Sequence, residues 1–250
     1  MKKQRISYFT VFLFGIFLFS CTSKVPENRN PGTYLIKKTD TPFCIDANWD
    51  KAAWQDAEVL SIANTMGDVP DFSPDTRARI MYDNTHLYVI FKVVDRYVKA
   101  ITTESNGPVW EDSCVEFFFA PDSGRVLHYF NLEVNCGGTP LMRYNRIPRK
   151  DYDTLTGSEL SMIEIAASMP VLVDPEQVGD TIWTIEYKIP FELLKSYSTI
   201  SQPEPGVVWK ANLYKIADKT SNPHYLTWAP VENAVLDFHQ PEFFGKLVFE

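Results

Sequence analysis

Residues 108–138 read PVWEDSCVEFFFAPDSGRVLHYFNLEVNCGG, and this stretch decides the fold. Two sets of side chains alternate over residues 114–119, which is typical of a β-strand. Residues 121–124 predict a turn, in which Gly124 is suited to a positive φ. The alternation resumes over residues 129–135. The stretch therefore predicts a β-hairpin.

One face of this predicted hairpin is polar. Glu116, Asn131, Glu133 and Asn135 can project from it, with Trp110 at its mouth. A flat aromatic ring covers the apolar C–H faces of a polyhydroxylated ligand, while carboxylates and amides bind its hydroxyl groups. The same pattern is typical of an antiparallel sheet with one solvated face. The residues by themselves leave both interpretations open.

The composition of the chain excludes some classes of partner. The 250 residues are 45% hydrophobic and 22% charged, which fits one large all-β domain or two small ones. The formal net charge is −8. An acidic chain argues against nucleic acid and against anionic membrane surfaces as partners.

The N-terminus is predicted to be a lipoprotein signal peptide, residues 1–20. Basic residues precede an apolar run over residues 8–19, which has the length of a signal-peptide core rather than of a membrane span. The run ends at Cys21 in a lipobox-like sequence, so we predict lipidation of this cysteine. An ordinary signal peptide with a chance cysteine is the alternative. Residues 21–33 lack periodicity and predict a tether.

The other cysteines predict no redox motif or zinc site, since no pair has CxxC spacing. If the turn of the hairpin lies at residues 122–124, residues opposite one another sum to about 246. Cys114 then faces about residue 132 rather than Cys136. A disulfide within the hairpin is therefore not expected.

Residues 34–250 predict an all-β domain. Short alternating segments are separated by turn residues, with short helical pieces near Trp54 and after Pro190. Residues 142–159 predict a solvated loop with a basic cluster, and residues 174–180 predict a turn. We expect an antiparallel β-sandwich with two sheets, jelly-roll or immunoglobulin-like, and one or two short helices. The predicted strands outside the hairpin are residues 34–38, 59–63, 76–82, 86–94, 162–169, 181–189, 207–216 and 241–250.

Seven stretches in this order resemble carbohydrate-binding module family 9, a group within the DOMON-like β-sandwich superfamily. The resemblance spans most of residues 41–249. The stretches are IDANWDKAAW at 45–54, ARIMYDNTHLYV at 78–89, WEDSCVEFF at 110–118, YFNLE at 129–133, WTIE with IPF at 183–191, WKANLY at 209–214, and WAP at 228–230 with FHQPEFFG at 238–245.

The resemblance implies a site that clamps a terminal saccharide between two tryptophans. Trp110 stands where the first clamp lies in the family, and Trp228 is the natural second clamp. Glu116 stands where a carboxylate binds hydroxyl groups, and Asn212 is an amide partner. The strand after the turn carries polar residues where the best-known site of the family has a basic one; Arg77, Arg79 and Arg143 are other sources of that charge. The predicted carbohydrate-binding residues are Trp110, Glu116, Asn131, Glu133, Asn212 and Trp228.

The predicted function is that of a non-catalytic carbohydrate-binding lipoprotein module that supports glycan capture and degradation. Its partners would be mono-, oligo- or polysaccharides, and the membrane only through the lipid anchor. The protein would be located in the cell envelope, at the outer membrane or cell surface. No cofactor is expected, although the resemblance implies that structural calcium can be bound. The aspartates that lie in predicted turns are Asp46, Asp50, Asp83 and Asp112.

Two other functions stay open. A glycoside hydrolase needs two carboxyl groups across a cleft, and the pairs to nominate are Glu116 with Glu133 or Glu111 with Asp112. A haem-binding electron carrier of the DOMON type needs axial ligands, although the chain has no CxxCH motif. The available haem ligands are Met81, His86, His128, His224 and His239.

Overall fold

The computed structural model of the chain describes residues 32–233 and 235–250. The predicted signal peptide, Cys21 and nearly all of the predicted tether lie outside the described residues. Within the described ranges, no helix is long and apolar enough to cross a bilayer.

The described chain is mainly β-structure, which confirms the predicted fold class. The strands are β1 Thr33–Lys38, β2 Leu60–Ser61, β3 Asn64–Thr65, β4 Asp75–Tyr82, β5 His86–Ala100, β6 Cys114–Ala120, β7 Tyr129–Asn135, β8 Pro140–Ile147, β9 Asp151–Thr154, β10 Glu164–Ala167, β11 Val173–Pro190, β12 Val208–Ile216, β13 Tyr225–Thr227 and β14 Gly245–Phe249. The helices are α1 Gly157–Leu160 and α2 Phe191–Lys195, with 3₁₀ turns at Ala52–Trp54, Val109–Glu111 and Pro241–Phe243.

The strands form two layers. The front sheet has the order β14-β12-β6-β7-β8-β9, and β13 and β3 extend it beside β12. The back sheet has the order β10-β11-β5-β4, with β2 beside β4. Strand β1 joins the layers because residues 33–36 pair in parallel with β14 and residues 37–38 pair in parallel with β4. Neighbouring strands within each order are antiparallel.

The main core fills the space between the two sheets. Alternate residues of each strand point into it, as the period-2 patterns predict. From the front sheet come Val115, Phe117, Phe119, Phe130, Leu132, Val134 and Leu213. From the back sheet come Ala78, Ile80, Val89, Phe91, Trp183, Ile185 and Tyr187. The outer face of the front sheet therefore receives the other set, which includes Cys114, Glu116 and Phe118.

Some local predictions are wrong. In the β6–β7 hairpin Glu116 lies opposite Glu133, so opposite residues sum to 249, because the connection runs over residues 121–128 and is longer than a tight turn. Gly124 does not have a positive φ. Cys114 lies opposite Asn135, and it is a free cysteine like Cys44 and Cys136.

Two segments predicted as irregular are strands. Residues 142–159 contain most of β8, all of β9 and helix α1, and the arginines that suggested a solvated loop alternate with buried Met142 and Tyr144. Residues 174–180 belong to β11, whose pairing with β5 is interrupted by register shifts. Those irregularities place turn-forming residues inside a long strand.

A buried carboxylate on the outer face of the back sheet anchors a loop segment. The buried carboxylate of Glu186 accepts hydrogen bonds from the backbone N–H groups of Asp46 and Ala47, at 2.8 and 2.7 Å, and from the indole of Trp54 at 2.9 Å. The ammonium group of Lys51 donates to both oxygens, at 2.8 and 3.0 Å. Glu186 therefore fastens the 44–54 segment to β11.

We predict that Glu186→Ala lowers the free energy of unfolding by about 3–5 kcal/mol, because four donor groups lose their shared buried acceptor. Urea denaturation measures the loss. The matched control is Glu164→Ala on the adjacent strand β10, where a half-exposed carboxylate pairs with Lys188 at 2.6 Å. That surface pair is expected to contribute less than about 1 kcal/mol. Equal losses in the two variants would contradict the anchoring role.

Candidate functional site

An open pocket of about 220 Å³ lies on the outer face of the front sheet. Strands β6, β7, β8 and β12 form its floor, and the loops after residues 108, 216 and 231 form its rim. The charged residues that line it are Glu116, Glu133, Arg143, Arg149, Asp218 and Asp237. The rings that line it are Trp110, Phe118, Tyr225, Phe238 and His239.

Two carboxylates lie side by side in the floor. Glu116 and Glu133 are directly opposite residues of β6 and β7, and both are almost completely buried. The Glu116 carboxylate makes no hydrogen bond to any described residue, and Oε2 of Glu133 is a buried atom without a partner there. Buried polar atoms in folded proteins are nearly always paired. Unpaired acceptors in a pocket floor therefore point to a ligand that donates hydrogen bonds.

A chain of amides orients one of these carboxylates. The side-chain amide of Asn131 donates to Oε1 of Glu133 at 2.8 Å, and Asn145 donates to Oδ1 of Asn131 at 2.7 Å. Both donors are buried. Because Oε1 of Glu133 is occupied, Oε2 is the atom left for a ligand.

The local electrostatics disfavour ionisation of both carboxylates. Burial raises the pKa of Glu133 to about 7. Burial and the neighbouring Glu133 charge raise the pKa of Glu116 well above its ordinary value. The pair therefore retains a proton near neutral pH because like charges at close range cannot both ionise cheaply.

A buried aspartate holds the segment that carries Trp110. The Asp112 carboxylate accepts hydrogen bonds from the N–H groups of Ile101 and Thr102 at 3.1 and 3.0 Å, and from the Asn135 amide at 3.0 Å. Trp110 lies in the adjoining 3₁₀ turn and stays partly exposed at the pocket wall. The rim aromatic is thus fixed by the same hairpin that supplies the floor.

The loop over residues 217–224 docks onto this turn. The N–H groups of Asp218 and Lys219 donate to the carbonyl oxygens of Trp110 and Glu111, at 3.1 and 2.9 Å. The Tyr225 hydroxyl donates to the Asp218 carboxylate. Trp110, Asp218 and Tyr225 therefore form one continuous side of the pocket.

A buried charge pins the base of that loop. Lys215 is fully buried, and its ammonium group lies 2.8 Å from Nε2 of His224 and 3.5 Å from Oδ2 of Asp95, which is also fully buried. Burial and the Lys215 charge lower the pKa of His224 to about 3, so its neutral ring accepts the hydrogen bond from Lys215. Nδ1 then donates to the Asn222 carbonyl oxygen at 2.8 Å.

The opposite side of the pocket comes from the segment before β14. Arg149 forms a bidentate ion pair with Asp237, with its shorter contact at 2.6 Å. The ring of His239 is hydrogen bonded to the Tyr129 hydroxyl at 2.6 Å. Burial and the nearby Arg149 charge lower the pKa of His239 to about 3, which keeps the ring neutral.

The structure brings together only part of the predicted residue set. Trp110, Glu116 and Glu133 line the pocket, and Asn131 supports Glu133 from beneath it. Asn212 is buried, and its amide is bonded to Ala229 and to the N–H of Leu213. Trp228 lies outside the pocket lining, packed against the core between the sheets. These two residues hold the turn after β13 in place.

The sequence analysis named Arg143 only as one of three other sources of positive charge, and it missed several other pocket residues. Arg143 reaches the floor because β8 pairs with β7, which places it opposite Asn131. Leu141, Arg143 and Asn145 alternate with Met142 and Tyr144, which point into the core between the sheets. This alternation was a signal for strand β8. Tyr225 lies three residues before Trp228 and was not among the predicted binding residues. Asp237 and its loop carry no local pattern, because they meet the hairpin only through tertiary packing.

Two of the four carboxyl groups nominated for glycoside hydrolysis have structural partners. Glu111 pairs with Lys219 at 2.7 Å, and the Asp112 carboxylate is taken up by its three donors. Glu116 and Glu133 are neighbours on one floor and do not face each other across a cleft. Hydrolysis of a glycosidic bond needs carboxyl groups that flank the bond.

The nominated haem and calcium ligands are likewise engaged. His224 and His239 are bonded as described, and His128 lies 3.0 Å from the Tyr144 hydroxyl. Asp83 accepts from Thr85, His86 and Tyr88. In the described ranges, no group of three or more His, Cys, Asp or Glu residues is arranged to hold a metal ion.

Known proteins share this fold. The model of a family described as carbohydrate-binding family 9 matches residues 45–249. A crystal structure of a carbohydrate-binding protein from Bacteroides uniformis, whose assignment is itself putative, is 28% identical, with a TM-score of 0.78 over 88% of this chain and 99% of that chain. A comparison with curated proteins finds no match.

Two further structures show the fold alone. Both are a carbohydrate-binding module of family 9 from Caldicellulosiruptor kristjanssonii, one in complex with cellotriose and one in complex with glucose. They are 14% and 13% identical to this chain, each with a TM-score of 0.59. Each match covers 87% of this chain, and 93% and 95% of the respective partner.

We predict that Lys215→Met lowers the free energy of unfolding by about 3–5 kcal/mol, because it leaves the Asp95 carboxylate buried without its cation. Urea denaturation measures the change. Lys219→Met is the control, since its ammonium group pairs with Glu111 at the exposed end of the same loop. An unfolding midpoint that is equally unaffected in both variants would contradict the pinning role of Lys215.

The raised pKa of Glu133 predicts a pH effect on stability. Between pH about 4.5 and 7 the carboxyl is protonated in the folded protein and ionised in the unfolded chain, so stability falls as pH rises. One pKa unit corresponds to about 1.4 kcal/mol, so the rise from 4.5 to about 7 makes the total loss roughly 3–4 kcal/mol. Glu133→Gln should lack this loss when urea denaturation is compared at pH 4.5 and pH 8. Parallel pH profiles for the two proteins would refute the shift.

Proposed function

The chain belongs to carbohydrate-binding family 9, a family of non-catalytic binding modules, and on that premise we propose that its front-sheet pocket binds one saccharide unit. The observation that carries the proposal is a set of buried polar atoms without partners in the described chain. These atoms are Oε2 of Glu133 and Nε of Arg143. The Glu116 carboxylate beside them makes no hydrogen bond to a described residue. Sugar hydroxyl groups both donate and accept hydrogen bonds, so one ligand satisfies acceptors and donors together.

The pocket walls suit the apolar faces of a sugar ring. Trp110 and Tyr225 are partly exposed aromatic rings on the side formed by the docked loops, and the buried ring of Phe238 lies at a centroid distance of 6.2 Å from that of Tyr225. Burial of C–H surface against such rings contributes about 1–3 kcal/mol for each ring. Trp110 and Tyr225 replace the pair of tryptophans that the family resemblance implied.

The size of the pocket favours a single unit of a glycan. Its volume of about 220 Å³ is below the roughly 300–1,000 Å³ typical of sites for drug-sized ligands. Longer saccharides would therefore extend from the pocket past the rim. The exposed side chain of Leu236 lies at that rim and offers apolar contact to a following unit.

The proposed setting of the module is the cell envelope. Lipidation at Cys21 would anchor it to the outer membrane or cell surface, and residues 21–33 would act as the tether. In that setting the module would capture glycans for degradation by enzymes on the same surface. The basic and apolar residues of the N-terminus support this proposal.

We predict that Trp110→Ala and Tyr225→Ala each weaken saccharide binding about tenfold, because each removes one apolar wall. Isothermal titration calorimetry with a panel of mono- and oligosaccharides that includes glucose and cellotriose measures the affinities. Trp228→Ala is the comparison: we expect lower stability and unchanged affinity, since its ring packs against the main core. Unchanged affinity in both folded rim variants would contradict the proposed walls, and a loss in Trp110→Ala and Trp228→Ala but not in Tyr225→Ala would restore the two-tryptophan clamp.

A further inference from the structure

The proposed saccharide site has a charge distribution that selects among sugars. Resting on that proposed function, we propose that the pocket prefers a cationic amino sugar to its neutral parent and excludes acidic sugars. The preferred ligand is a saccharide unit whose ring carries a protonated amino group. The inference follows from the juxtaposition of Glu116 and Glu133 in a floor where neither carboxylate has an ion-pair partner among the described residues.

The pocket holds an excess of acidic groups. Four carboxylates line it, against two guanidinium groups. Arg149 is committed to Asp237 by the bidentate ion pair, so these two charges largely cancel. His239 adds no positive charge, since its pKa is lowered to about 3 by burial and by the nearby Arg149. With one proton held by the Glu116–Glu133 pair, three negative charges face two positive ones, so the balance of the pocket is one negative charge.

No basic group of the described chain forms an ion pair with either floor carboxylate. Neither Glu116 nor Glu133 has a Lys, Arg or His nitrogen within 4.0 Å among the described residues. The guanidinium of Arg143 stacks on the ring of Tyr152 at 4.8 Å from its centroid. Arg143 therefore acts on Glu133 only from a distance, and its unpartnered Nε is a donor for a sugar oxygen.

The geometry of the two carboxylates fits a compact cation. Directly opposite residues of antiparallel strands have Cα atoms about 4.5–5.5 Å apart, and their side chains project from the same face. An ammonium group carries three donors and one concentrated positive charge. It can therefore donate to Oε2 of Glu133 and to Glu116 at once. Glu133 cannot turn away, because Asn131 holds Oε1 at 2.8 Å.

Other buried carboxylates of the chain show what is missing here. Glu186 has four donor groups, one of them the ammonium of Lys51, and Asp95 lies 3.5 Å from the ammonium of Lys215. Glu116 has neither donors nor a cation in the described ranges. Burial and the Glu133 charge accordingly raise its pKa. A ligand ammonium would supply to this pair the same neutralisation that Lys51 supplies to Glu186.

The acidic excess also excludes a class of ligands. A uronic acid would bring a further carboxylate beside Glu116, Glu133 and Asp218, and like charges in a partly buried site repel strongly. Only Arg143 is free of a carboxylate partner among the pocket arginines. Its single charge does not offset those three groups.

The test is isothermal titration calorimetry of the protein at pH 6.5 with matched sugars. The gluco series comprises glucose, glucosamine, N-acetylglucosamine and glucuronic acid, and the galacto series comprises the corresponding four. In the series that fits the pocket, we expect the amino sugar to bind at least tenfold tighter than the neutral parent. The N-acetylated sugar, which is uncharged, should lose that gain, and the uronic acid should bind at least tenfold more weakly than the parent.

Variants tie the preference to the floor. Glu116→Gln and Glu133→Gln should lower the affinity for both sugars and bring the ratio between amino sugar and neutral parent towards one. Glu164→Gln, on the back sheet and far from the pocket, should keep the ratio of the unaltered protein. An amide keeps the shape of the carboxylate, removes its charge and replaces one acceptor oxygen by a donor NH2 group.

The test distinguishes failure of the amino-sugar preference from failure of the saccharide site. If a neutral sugar binds and its amino counterpart binds no tighter, or if the uronic acid binds as well as the neutral sugar, the preference is refuted and the saccharide site stands. If no sugar of either series binds to the folded protein, the proposed saccharide site itself fails, and the preference falls with it. A ratio that persists in both floor variants also refutes the role assigned to Glu116 and Glu133.

Discussion

The two-residue alternation of β6 and β7 is the constraint on which the rest of the structure depends. Phe117 and Leu132 must point into the core between the sheets, so Glu116 and Glu133 must point to the opposite face. A shift of one residue in either strand would bury carboxylates among the core aromatics. The apolar core therefore fixes the place of the polar site, and the site needs no separate scaffold.

The buried carboxylates of this chain divide into two groups. Glu186 and Asp112 are filled with donors from the chain itself, and each fastens a loop to the sandwich. Glu116 and one oxygen of Glu133 have no partner in the described ranges. Folding pays for this arrangement, because a buried polar group without a partner costs roughly 1–3 kcal/mol. That cost is understandable where a ligand completes the bonding.

The rim is held by equally specific contacts. Backbone hydrogen bonds join residues 218 and 219 to the turn that carries Trp110, and Lys215 pins the base of the same loop from inside. The pocket walls are thereby positioned before a ligand arrives. A preorganised site loses less conformational entropy on binding, which favours affinity from a small contact area.

The strands were predictable from the sequence wherever alternation was uninterrupted. The β4–β5 and β6–β7 hairpins, and the division of β11 into an inner and an outer face, follow from the spacing of apolar residues. Strand β8 was missed because its arginines obscured the same alternation. The uninterrupted alternation of β6 and β7 made the floor of the site predictable from the sequence. Trp110, Glu116 and Glu133 were predicted from the same stretch of sequence.

The rest of the site depends on contacts between distant residues. The Arg149–Asp237 pair joins positions 88 residues apart, and Tyr225 enters the pocket only because its loop docks on Trp110. Trp228 is an aromatic residue of the kind that can stack on a sugar ring. Its position directly after strand β13 places it against the core instead. Local pattern identifies which face a strand residue occupies, whereas loop residues are placed by the tertiary structure alone.

The most direct test of the account is carboxyl carbon NMR titration of Glu133 with and without a saturating saccharide. The account predicts a pKa of about 7 in the free protein, caused by burial. It predicts a clear fall in that pKa when the saccharide is bound, because hydrogen bonds donated by the ligand favour the ionised form. A saccharide that binds and leaves the Glu133 pKa unchanged would place the binding site elsewhere and contradict the account.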